Sequence, residues 1–165
     1  MDSLPILVSS CLAGSPCRYD GNARPDAEIV AGVQDGRAIP ACAEQLGGLP
    51  TPRPPAEILG GDGGDVLRGQ AVVITDDGED VTAEFVAGAE KVADLARANG
   101  ITEAVLQARS PSCGCGVVYD GSHSGALAHG DGVLAALLKR QGIEVRPVRG
   151  TRETALAAEG PSTPE

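Results

Sequence analysis

Three short apolar runs in this chain each stop at a cysteine set in a glycine- and proline-rich loop, and stretches with helical periodicity separate them. Residues 5–10 (PILVSS) run into Cys11, residues 37–42 (RAIPAC) end on Cys42, and residues 101–109 (ITEAVLQAR) lead into SPSCGCG at 110–116, which carries Cys113. Short, continuous apolar runs bounded by turn residues read as strands buried on both faces, the habit of a parallel sheet. Between them, residues 25–34 open with a proline and acidic residues and close at Asp35-Gly36, which predicts a helix. A longer helix is predicted over 81–99, where Phe85, Val86, Ala89, Val92, Ala93, Leu95 and Ala96 recur at helical spacing before Gly100. A third covers 131–141 up to Gly142, and a fourth core strand follows at 143–148.

Residues 60–69 (GGDGGDVLRG) read as turns, 70–75 as a strand, and Asp76-Asp77-Gly78 as a hairpin signal leading into 79–82. The expectation is a single α/β domain over 1–150, a three-layer α/β/α fold with a mostly parallel, Rossmann-like sheet and a small β-hairpin excursion. Residues 151–165, rich in Ala, Glu, Pro and Ser, are expected to be a disordered tail.

Composition narrows the partners. The chain has 165 residues but only 2% aromatics, so its core must be built from Val, Ile, Leu and Ala. With 23 acidic against 13 basic residues the formal charge is −10, a field that repels nucleic-acid polymers and anionic membrane surfaces. No apolar run approaches the roughly 20 residues of a membrane span. The first ten residues hold an Asp, no basic start and only one short apolar run, unlike an export signal, so a cytoplasmic location is expected. Five cysteines, an odd number, argue against a disulfide framework there and for metal or catalytic roles.

Open parallel sheets bind ligands beyond the carboxyl ends of their strands, where Cys11, Cys42 and Cys113 all fall. Three thiolates on one rim form a soft donor set suited to zinc or an iron–sulfur cluster rather than to magnesium or calcium. No C-x-x-C spacing is present and His123 and His129 lack an adjoining ligand pair, so the usual zinc signature is missing. Three cysteines on a cubane leave one iron open to act as a Lewis acid. A fourth thiolate, from Cys17 or Cys115, closes the cluster and makes an electron-transfer or sensing module instead. A metal-free hydrolase with Cys113 as nucleophile and Glu44 as base is the third reading. Neither a P-loop nor a Gly-x-Gly-x-x-Gly follows the first strand, so phosphate cradling has no support.

Four ordered segments, SCLAGSPCRYDG at 10–21, CAEQLGGLPTPR at 42–53, DVT at 80–82 and SPSCG at 110–114, resemble the thiouracil desulfidase family over roughly residues 4–148. The resemblance implies a C–S bond-cleaving enzyme with an oxygen-sensitive 4Fe-4S cluster held by three cysteines. By motif match these are Cys11, Cys42 and Cys113, and the fourth iron is free to take the substrate's sulfur. It further implies that Glu44 is the catalytic acid–base group and Ser110 the catalytic serine. The substrate would be thiouracil or another small thiolated base. Whether the protein is a monomer or a homodimer is left open. Ala43 stands where the family often has proline, Gln107 near a usual basic residue and His123 near a usual aromatic, departures that bear on pocket shape and substrate choice.

Other residues near the motifs carry bland readings. Ser112 reads as a loop cap, and Arg53 as a brace holding its loop by an ion pair. Arg18, Tyr19 and Asp20 either line a pocket or form a turn, and the two histidines read as solvent-facing loop residues.

Overall fold

The structure, a computed structural model, describes residues 4–150. Four strands, β1 (Ile6–Ser9), β2 (Ala38–Ala41), β5 (Glu103–Gln107) and β8 (Glu144–Val148), form one sheet in the order β2-β1-β5-β8. Every pairing in it is parallel, with Leu7 opposite Ile39 on one side and Ala104 on the other. The expected three layers are present, and the alternation along the strands shows why. Leu7, Ala104 and Leu106 point into a large core beneath α4 (Thr82–Ala98) and α5 (Val133–Arg140), whereas Val8 and Val105 point the other way. There they meet Leu12 and Ile29, carried by a 3-10 turn (Ser10–Ala13) and α1 (Ala27–Gln34). Leu7, Val8, Leu12 and Leu138 are fully buried, each stabilising the fold by roughly 1.5–3 kcal/mol.

Local chemistry sets the helix ends. Asp26 caps α1 by accepting hydrogen bonds from the amides of Glu28 and Ile29, so Pro25 precedes the cap instead of opening the helix. The run at 60–69 is not all turn. Its centre is a short helix, α3 (Gly63–Leu67), started by a reciprocal capping box between Asp62 and Asp65; glycine content hid it. A further short helix, α2 (Ala43–Leu46), follows β2 with Cys42 at its N-cap.

The expected hairpin is present and gains a further strand. The 79–82 segment runs back along β4 (Val72–Thr75), with the Thr75 and Val81 amides donating to the Glu79 and Val73 carbonyls and an antiparallel Ile74–Asp80 bridge between them, while on its other side β4 pairs antiparallel with β3 (Ala56–Leu59). Two prolines and a glutamate obscured β3 in the sequence. That glutamate, Glu57, is buried, and accepts hydrogen bonds from the amides of Gly121 and His123. A second antiparallel pair, β6 (Val117–Tyr119) with β7 (Leu127–His129), was not anticipated from the sequence. The tail expected at 151–165 lies outside the described residues. Among those described, no helix is long and apolar enough to cross a membrane.

Candidate active site

The strand order brings the cysteines together. β2, β1 and β5 are adjacent and parallel, so the loops that leave their carboxyl ends share one rim of the sheet. Cys11 sits in the 3-10 turn directly after β1, a turn closed by Gly14 at a φ of 96° that a side chain would resist. Cys42 follows β2, and Cys113 lies in the loop after β5. All three line one cleft together with Glu44 and Ser110.

Each thiol is held by a specific contact. The Cys11 thiol donates weakly to Gln107 Oε1 at 4.0 Å, and that of Cys42 to the carbonyl of Cys17 at 3.9 Å. Ser9, absent from the sequence-level candidates, donates its hydroxyl to Cys113 Sγ at 3.2 Å and accepts the Gln107 amide at 2.9 Å. Its signal was its place as the last residue of β1, two before Cys11. Cys17 is inside the cleft as well, 2% exposed. Its thiol is pushed up to about 11, first by its hydrogen bond with Cys11, against a contact with Cys42 that pulls it down, with burial adding to the rise. The Cys42 thiol is pushed up further, first by Cys17 and then by burial. Thiols crowded this way hold their protons until a cation replaces them. Cys115 stands apart, with its thiol 3.5 Å from the Val145 carbonyl.

Glu44 occupies the first turn of α2 and is buried, 7% exposed. Its carboxylate is not isolated: the Arg53 guanidinium, equally enclosed, forms an ion pair with it. The Arg53 brace expected from the sequence is therefore real and its partner is the expected catalytic carboxylate. The same guanidinium donates to the Cys17 and Pro50 carbonyls, tying α2 and two loops to one cation. On the far side of the pair opens a second pocket of about 240 Å3, lined by Tyr19, Phe85, Thr75, Glu84 and the 48–54 loop. Glu44 and Arg53 belong to both walls.

The cap expected at Ser112 falls to its neighbour two residues earlier. Ser110 is the cap, its Oγ accepting from the amides of Ser112 and Cys113, both at 3.1 Å. Ser112, 1% exposed, caps nothing: its hydroxyl has no hydrogen-bond partner among the described residues. Arg18 lines the cysteine cleft and Tyr19 the larger pocket, while Asp20 makes a turn by accepting from the Asn22 amide. His123 places Nδ1 3.7 Å from the buried Glu57 carboxylate, and His129 is exposed on β7 rather than in a loop.

A parallel α/β sheet with crowded thiols and a buried acid–cation pair at its strand ends belongs among enzymes of sulfur or soft-metal chemistry. The family model for 2-thiouracil desulfurases matches residues 6–148, and the chain belongs to that family. A Bacillus subtilis (strain 168) protein described as uncharacterized, YbbK, is 48% identical over 140 residues, covering 85% of this chain and 93% of the relative. Among solved structures, a 4Fe-4S-dependent thiouracil desulfidase, TudS, superposes with a TM-score of 0.77 at 44% identity, covering 88% of this chain and 91% of that one.

Proposed function

We propose that the chain is an iron–sulfur-dependent desulfidase that converts thiouracil or a related small thiolated pyrimidine to its oxo form, with Cys11, Cys42 and Cys113 holding a 4Fe-4S cluster. The observation that carries this reading is the Glu44–Arg53 pair, which stands in the wall shared by the thiol cleft and the larger pocket. A group in the cleft and a base in the pocket both meet that carboxylate.

The donor set fits the cluster. Cys11, Cys42 and Cys113 line one cleft, and their thiolates are soft donors that suit an iron–sulfur cluster. A cluster takes one thiolate per iron, so its ligands are spread around a cleft instead of converging on a point. When bound, it supplies an iron with an open position, a Lewis acid for the thiocarbonyl sulfur.

The reaction exchanges one water for one hydrogen sulfide and needs no electrons. Glu44 takes a proton from the attacking water and returns it to the departing sulfur. Arg53 fixes the carboxylate's direction and offsets the cost of burying its charge; the carboxylate is thus kept in place by pairing, not by isolation. Ser110 has its oxygen engaged by two amides, which leaves its own proton to donate toward the water or the base. Tyr19 and Phe85 border the pocket and offer aromatic faces to a planar pyrimidine.

Anaerobic reconstitution with iron and sulfide, followed by assays on 2- and 4-thiouracil, tests the reading. Expected are broad visible absorption, about four irons per chain and loss of thiocarbonyl absorbance; a colourless, fully active enzyme refutes it. The buried position of Cys17 in the same cleft favours one rival, a cluster closed by four thiolates that serves electron transfer. Under that rival, Cys17→Ser loses an iron ligand; under the desulfidase reading it keeps the cluster.

A further inference from the structure

We infer that Ser112 is a hydrogen-bond donor to the sulfur of the group held in the thiol cleft, an inference that rests on the iron–sulfur reading above. Its hydroxyl is buried to within 1% and lacks a partner among the described residues. Such a group is costly to leave unmade and demands an explanation. It lines the cleft with Cys11, Cys42 and Cys113, directly beside the last of these in the chain.

The backbone around it admits no other use. The Ser112 amide is taken by Ser110 Oγ. Its carbonyl accepts from the amides of Leu134 and Ala135, at 2.9 and 3.1 Å, in the first turn of α5. Gly132 packs so closely behind that a Cβ there would lie 2.5 Å from the Ser112 oxygen. Residue 112 is thereby clamped between the Cys113 loop and α5. A clamp that satisfies both main-chain groups yet strands the hydroxyl is what a site waiting for a bound acceptor looks like. Thiolate and sulfide sulfurs are weak acceptors made stronger by their negative charge. Ser9 already shows the geometry, donating to Cys113 Sγ at 3.2 Å. Ser112 would be a second donor to the same sulfur-rich body.

A donor to cluster sulfur stabilises the more negative, reduced state, so it raises the reduction potential. It also strengthens retention of the group, while contributing nothing to the protein without it. Ser112→Ala separates these effects. In the cluster-free protein, removing a stranded hydroxyl should leave the melting temperature unchanged or raise it by about 2–4 °C. In the anaerobically reconstituted protein, the same change should shift the cluster's midpoint potential downward and speed its loss to an iron chelator about fivefold, the size of one hydrogen bond. Both are followed by visible absorbance, independently of turnover. Ser112→Thr, which keeps the hydroxyl, should restore the potential. A lower melting temperature for cluster-free Ser112→Ala would mean the hydroxyl serves the fold and overturns the inference. Unchanged potential and unchanged loss rate in the reconstituted variant overturn it too. Failure of the wild type to take up a cluster refutes the functional reading along with it, whereas a normal wild-type cluster with an indifferent Ser112→Ala refutes the inference alone.

Discussion

Gly88 in α4 is the position where a single methyl group should do most damage to the proposed site without touching it. A Cβ there would lie 1.9 Å from the Ala43 carbonyl oxygen and 2.7 Å from its carbon, where ordinary contact begins at 3.4 Å, so one backbone must withdraw by about 1.5 Å. Ala43 lies between Cys42 and Glu44 at the start of α2. The approach is reciprocal, because a Cβ on Gly47 would meet the Glu84 carbonyl at 2.0 Å. Gly88→Ala gains up to about 1 kcal/mol in helix propensity but overpacks backbone against backbone at about 1–3 kcal/mol. The net loss, up to about 2 kcal/mol when the helix-propensity gain is full, lowers Tm by up to about 8 °C in a chain of this size. Displacing Glu44 by about 1 Å or more should cost about 100-fold in kcat/KM. Gly32→Ala in α1 is the control, since its nearest neighbour is the Ala38 Cβ at 3.5 Å; it should be neutral or raise Tm by about 1–3 °C. Thermal melts and anaerobic thiouracil assays of both variants decide the matter. Wild-type Tm and wild-type turnover in Gly88→Ala would refute the placement of α2 on α4, and with it the route by which Glu44 is positioned.

Other perturbations probe separate parts of the site. Glu44→Gln should keep the cluster's absorption and abolish turnover, and normal turnover would remove Glu44 as the proton carrier. Arg53→Ala strands the buried Glu44 carboxylate and should cost about 3 kcal/mol or more, read as a Tm drop of at least about 6 °C; a silent change would show that the pair is not enclosed. Serine in place of Cys11, Cys42 or Cys113 should each abolish cluster binding, while Cys115→Ser, outside the cleft, should retain it. Iron content after reconstitution reads all four. Asp80 accepts from Thr82 at the start of α4, and the hydroxyl and amide of Thr82, in that order, hold its carboxyl below the usual range. A folded-state pKa below the unfolded one adds stability above the unfolded value and loses it as pH falls through the folded one. The Tm gap between wild type and Asp80→Ala should therefore close on acidification, and a gap independent of pH would contradict that hydrogen bond.

What was legible in the sequence, and what was not, divides along one physical line. Strands ending in cysteine-bearing loops could be read because burial on both faces writes a continuous apolar run and because turns demand glycine and proline. Parallel order then placed Cys11, Cys42 and Cys113 on one rim. The partner of Arg53 could not be read, since a nine-residue separation across prolines does not say which carboxylate the guanidinium reaches. Gly47 and Gly88 carry no signal of their own in the sequence, whereas each is a point where α2 and α4 touch backbone to backbone. Ser112 reads as the loop cap in the sequence, yet the hydrogen bonds of the cap fall on Ser110. Which one caps the loop is settled in space, where the Ser112 and Cys113 amides turn onto Ser110 Oγ and the Ser112 carbonyl docks on the first turn of α5. Burial and periodicity are one-dimensional properties that a sequence records, but a hydroxyl's direction is fixed by its neighbours in space. The stranded Ser112 hydroxyl is therefore visible only in the folded chain, and the variant that removes it separates a donor to the bound group from a residue that merely fills the loop.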